Sequence, residues 1–194
     1  MAIGSPDKAA RVAQLRNYAR VQVWSGFRPL SEVRADVLEA VREETPDTDE
    51  AERLTDEFLA EAQDSLAEAA GTWPSVTAFD RLQAAFSELE ADGIVVLQAC
   101  EDHWTANELL QRRTSEGSPV RGVAYFTHSD VWHAVDHGML EINVWHGSSA
   151  NVAEGDELLD HVRQTLGRHG IDSLFDEGRI EVTVAWQRRP PRAA

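Results

Sequence analysis

One cysteine and one lysine in 194 residues set the first limits on this chain. With Cys100 alone, no intramolecular disulfide can form and zinc would need ligands other than thiolates, a pattern that fits a reducing cytoplasm. Lys8 is the only lysine, and the arginines are scattered apart from Arg112, Arg113 and the tail. Counterion-release binding needs clustered cations, so direct binding of DNA or RNA is not expected. Long apolar runs are missing as well. IVVL at 94–97 falls far short of the roughly 20 residues that cross a bilayer, and MAIGSPDKAARVAQ has no apolar core of a signal peptide. Neither membrane insertion nor secretion is expected. No phosphate-binding glycine loop, paired CxxC or HExxH occurs, so no motif names a reaction.

What is present is acid. The net charge is −16, and residues 32–68 hold 14 acidic side chains against Arg34, Arg42 and Arg53. At helical spacing these make an acidic face, which either keeps the protein in solution or docks a basic partner. A hydrophobic content of 42% is ordinary for a globular protein, and the length allows one large core or two small ones.

Residues 1–73 read as three amphipathic helices. Val12, Leu15, Ala19 and Val23 form one stripe, Leu30, Val33, Val37 and Val41 a second, and Leu54, Phe58, Ala62 and Leu66 a third. Gly26 and Pro29 break the first pair, and Thr45-Pro46-Asp47 ends the second helix and caps the third. A fourth helix opens at Thr77, where Asp80 completes a capping box. From there to residue 187 helices alternate with four strand-like runs: GIVVLQA from Gly93, VAYFTH from Val123, LEINVWH from Leu140 and IEVTVAW from Ile180. In the last two, Leu140, Ile142, Val144, Ile180, Val182 and Val184 alternate with more polar residues, which predicts one buried face for each strand.

The order β-α-β-(short α)-β-α-β therefore predicts an α+β fold: a four-stranded split βαβ, ferredoxin-like, two-layer sandwich over 74–187, preceded by the helical acidic region 1–73. Residues 188–194 are expected to be a disordered tail. A fully wound parallel sheet is the alternative.

Three segments, VWSGF at 23–27, WPSVTAFDRLQAAFSELEADGIVVLQA from Trp73 and RGVAYFTHSD from Arg121, resemble a bacterial family catalogued only as a domain of unknown function. The resemblance spans most of the chain, and its middle segment is the most specific. It implies a shared fold and no particular activity, substrate or cofactor. Residues 100–110 depart from the family pattern, where a glycine-containing turn is expected.

All seven histidines lie from His103 to His169. In a split βαβ unit the first two strands flank a third, so their C-terminal ends lie about 10 Å apart on one edge. That edge gathers His103, His128 and Asp130, which makes them the candidate ligands of one divalent metal ion. No other cofactor is expected. The same segment also reads structurally: Ser129 as a cap, Asp130 at a helix N-terminus, and His133, Asp136 and His137 in solvent. Cys100 reads either as a nucleophile with His103 or His128 as base, or as an inert strand cysteine whose acidic neighbours raise its pKa. Trp145 projects opposite Leu140, Ile142 and Val144, and with Asn143 and Glu141 it could form a partner surface or a homodimer contact. The function expected from these readings is a non-enzymatic cytoplasmic interaction or regulatory module that binds protein. The alternative is a metal-dependent enzyme using the His103, His128 and Asp130 edge.

Overall fold

The computed structural model describes residues 8–190; residues 191–194, the end of the expected tail, lie outside the described residues. The chain divides into two compact units, Met1–Trp73 with Arg188–Ala194, and Pro74–Gln187. No helix among the described residues is long and apolar enough to cross a membrane.

The first unit contains α1 (Lys8–Ser25), α2 (Leu30–Glu44) and α3 (Thr48–Thr72). Their apolar stripes meet as the 3.6-residue period requires. Ala19 of α1, Val33, Val37 and Val41 of α2, and Ala51, Phe58 and Leu59 of α3 share one buried core. Asp47 caps α3 by accepting from the Glu50 amide at 2.9 Å. Much of the acid is answered within the bundle. Arg11–Glu44 links α1 to α2, Arg16 links α1 to Glu57 and Glu61 of α3, and Arg34–Asp56 and Arg42–Glu52 link α2 to α3. Such exposed pairs are screened by solvent and contribute little to stability. Residues 188–190 group with this unit. The Arg188 guanidinium lies 4.1 Å over the Phe27 ring, and Trp24, Leu30, Val33, Leu66, Arg188 and Pro190 line a groove of about 560 Å³.

The second unit opens with α4 (Ala78–Ala91) and continues as β1 (Ile94–Cys100), α5 (His103–Ser115), β2 (Gly122–Thr127), α6 (His128–His137), β3 (Met139–His146), α7 (Glu157–Arg168), β4 (Ser173–Asp176) and β5 (Arg179–Thr183). The expected capping box starts α4: the Asp80 amide donates to Thr77 Oγ1 and the Thr77 amide to Asp80 Oδ2. The protein is thus α+β, with helices α1–α4 followed by a five-stranded mixed sheet interleaved with helices. Leu140, Ile142, Val144, Ile180, Val182 and Val184 are each at most 1% exposed, as the alternation predicts.

The split βαβ arrangement is corrected by the strand order, which is β1-β2-β3-β5-β4. β1 and β2 are parallel and directly hydrogen-bonded, with no strand between them, and the remaining pairs are antiparallel. Helix α5 is therefore an ordinary crossover between neighbouring parallel strands. The two-layer description fails in the same place. Val123 and Tyr125 of β2 pack with Ala106 and Leu110 of α5, while Phe126, on the other face, meets Phe86 of α4 at 6.0 Å. Helices cover both faces of β2. The polar face of β3 and β5, with Glu141, Asn143, Arg179 and Thr183, stays partly or fully exposed. The four expected strands also become five, because Ser173–Asp176 pairs with β5 across a tight turn at Glu177 and Gly178, both at positive φ.

Two helices are clasped by one carboxylate. Glu88 of α4 accepts from Arg168 at 2.6 Å and lies 2.7 Å from His169 Nε2, just past α7. The bond to His169, then that to Arg168, holds the Glu88 carboxyl below its ordinary value of 4.5. A depressed carboxylate stabilises the fold fully above its unfolded pKa and stops doing so as pH falls through the folded one. Glu88→Gln should accordingly lower the thermal midpoint at neutral pH, and the gap from wild type should close in acid. Calorimetry that finds the same gap at both ends of the range would refute this assignment.

Candidate functional site

The parallel ladder between β1 and β2 ends in a bulge. Ile94 to Leu97 pair in register with Gly122 to Tyr125, but the next pair is Cys100 with Thr127, so β1 carries one extra residue. Ala99 absorbs it at φ 52, a left-handed conformation that costs a residue with a Cβ roughly 1–2 kcal/mol. Immediately beyond the bulge come Glu101, Asp102 and His103, which line one side of an open cleft of about 420 Å³.

The sheet supplies the rest of that cleft. Tyr125 of β2 is the register partner of Asn143 on β3, and Asn143 in turn is the partner of Arg179 on β5, so all three lie in one row across the strands. All three line the cleft, with Trp145, Asn151 and the start of α6 at Thr127, Ser129 and Asp130. The Tyr125 and Trp145 rings meet edge to face at 4.9 Å. Tyr125 is 3% exposed, and its hydroxyl has no hydrogen-bond partner among the described residues. Burial, then the neighbouring Cys100 and Asp130, pushes its phenol up to about 12. It stays a neutral donor and acceptor at neutral pH. Arg179 is engaged by Glu141, whose hydrogen bond is the main reason its guanidinium is held above the usual range.

The two helix starts are both closed by aspartates. Asp102 Oδ1 accepts from the Thr105 amide at 3.1 Å, and Asp130 Oδ2 accepts from the Thr127 amide at 2.7 Å and from the Thr127 hydroxyl at 2.8 Å. Of the three candidate metal ligands, His103 and Asp130 come to the same cleft. His128, the first residue of α6, is not among the residues that line it. No group of three or more His, Cys, Asp or Glu side chains among the described residues is arranged to hold a metal ion. His133 and His137 are exposed, one turn apart with ring centres 4.8 Å from each other.

Cys100 is half-buried and its thiol points at two carbonyls, Asp102 O at 3.4 Å and Phe126 O at 3.5 Å. Burial raises its pKa to about 11, with Asp130 and Asp102 adding to the shift. A thiol so protonated at neutral pH is a poor nucleophile, in line with the inert reading.

Trp145 and Asn143 were legible as outward positions by strand parity. Tyr125, Arg179 and Asn151 join them only through the strand register, which periodicity does not provide. Trp104 has no sequence signal of its own, yet it stands 59% exposed with its ring 4.7 Å from that of His103.

A cleft of this kind, at the end of a βαβ unit and on the uncovered part of a mixed sheet, belongs to an α+β protein whose sheet follows a helical N-terminal region. The chain belongs to the family described as Domain of unknown function (DUF6891), whose model matches residues 8–190. No curated protein and no solved structure matches it.

Proposed function

We propose that this protein is a non-enzymatic interaction or regulatory module, and that the cleft on the open sheet face is where it holds its ligand. The observation that carries this reading is Tyr125. Tyr125 is 3% exposed and lines the cleft, and its hydroxyl, which still reaches solvent there, has no hydrogen-bond partner among the described residues. A bound group would supply that partner. The neighbouring chemistry favours binding over catalysis: the thiol is protonated, and Asp102 and Asp130 each spend one oxygen on a helix cap.

A fragment screen on the ¹⁵N-labelled full chain tests this. Binders should move the Trp145 indole and Asn143 amide signals, and Trp145→Ala should abolish their binding while the chain stays folded. Fragments that all map elsewhere, or a bound compound that is turned over, would overturn it. His103 and Asp130 share the cleft, so one enzymatic reading has its own check: stoichiometric zinc, manganese or iron in purified protein would favour a metal-dependent enzyme.

A further inference from the structure

We infer that the group recognised in this cleft is an organic cation, an aliphatic ammonium or guanidinium. This rests on the cleft being the binding site and goes further by naming the chemistry it takes.

Three carboxylates line the cleft, Glu101, Asp102 and Asp130. The caps use Oδ1 of Asp102 and Oδ2 of Asp130, and the second oxygen of each has no hydrogen-bond partner among the described residues. Nor has Glu101. Two acceptors at helix starts and one just before α5 therefore remain for a donor from outside. The cations on the protein side are few. Arg179 is drawn first to Glu141, outside the cleft lining, and Asp130 is only a lesser influence on it. His103 is the remaining basic group of the lining. The local balance is acidic, in a chain of net charge −16.

Acid alone would not make a site. Tyr125 is the independent observation: a residue 3% exposed that lines the cleft and whose hydroxyl, without a partner among the described residues, can accept an N–H. Beside it, the Trp145 ring adds a π surface, and Trp or Tyr faces attract ammonium and guanidinium groups within about 6 Å. Carboxylates, an aromatic pair and an acceptor hydroxyl together form a lining suited to a cation that is both charged and carbon-bearing. The ligating groups are too dispersed for a bare divalent ion, since no three of them converge. Anions are disfavoured by the same carboxylates.

The cation could come from a free diamine or from a basic side chain of another polypeptide, and two probes separate these sources. The full chain is titrated with 1,4-diaminobutane and, separately, with a short end-blocked peptide carrying one arginine, with the Trp145 indole signal as readout. At least one should bind, and the tighter one identifies the source. Asp130→Asn keeps a cap oxygen for Thr127 and removes the charge, so it should weaken binding about tenfold or more. Tyr125→Phe keeps the ring and should weaken it several-fold. Glu90→Gln removes the same charge from the exposed side of α4, on the opposite sheet face, and should change nothing.

Failure of both probes at millimolar concentration would overturn the inference. So would equal weakening by Asp130→Asn and Glu90→Gln, which is the signature of general attraction to an acidic protein. If a neutral or anionic fragment moves the Trp145 signal while neither cation does, the cleft remains the binding site and only its assigned chemistry fails.

Discussion

Replacing Phe126 with alanine should cost about 3–5 kcal/mol, the usual loss when a large aromatic leaves a packed core. Phe126 is fully buried, with Phe86 of α4 at 6.0 Å on one side and Trp186 at 6.4 Å on another. Trp186 in turn meets Phe79 at 5.0 Å. The ring thus ties β2 to the start and middle of α4 and to the chain beyond β5. Trp186, held edge to face by Phe79, cannot collapse into the vacancy without losing that contact, which places the expected loss in that range. Against a typical stability of about 5–15 kcal/mol this is a large fraction. Urea unfolding should show an earlier midpoint with little change in slope. A loss under about 1 kcal/mol would mean that this core repacks freely and that the aromatic cluster is not what fixes α4 to the sheet.

Gly147→Ala should do comparable damage by the opposite route. A Cβ at Gly147 would stand 2.2 Å from the carbonyl oxygen of Val120, a backbone atom that cannot rotate away. The Gly147 amide also donates to Arg121 O at 3.1 Å, so the loop after β3 is pinned against the entry to β2. Overpacking of this kind costs about 1–3 kcal/mol. Its functional consequence is larger. Trp145 lies two residues back and bridges Asn151, and both line the cleft, so forcing the loop outward should displace them together. The variant should lose ligand binding at temperatures where it is still folded. Retained binding with native stability would show that residues 120–121 yield without moving β3.

The stripes of α1, α2 and α3, the capping box at Thr77 and the buried parity of β3 and β5 could all be read from residue spacing, because each is a local consequence of backbone geometry. Strand order could not. Alternation says which side chains face inward but not which strand is the neighbour, and the short helix α6 fits either arrangement. One signal did exist. VAYF in β2 has no polar alternate, the mark of a strand covered on both faces, and it is buried throughout. Read that way, it calls for a helix on each side and a third layer. β4 escaped notice because SLFD spans only four residues and turns through Glu177 at φ 44, where asparagine or aspartate before glycine would be the usual marker. The site was half legible for the same reason: Trp145, Asn143, His103 and Asp130 follow from parity and position, whereas Tyr125 and Arg179 enter only when β2, β3 and β5 are set side by side.

The first unit is not contiguous in the chain, since residues 188–190 return to it after all of the second unit has been made. During synthesis the three helices emerge early, with the Phe27 ring lacking its guanidinium and the groove beside Trp24 missing one wall. A chain cut after residue 187 would lack Arg188 and Pro190, so the groove beside Trp24 is built from two stretches of sequence that the whole second unit separates.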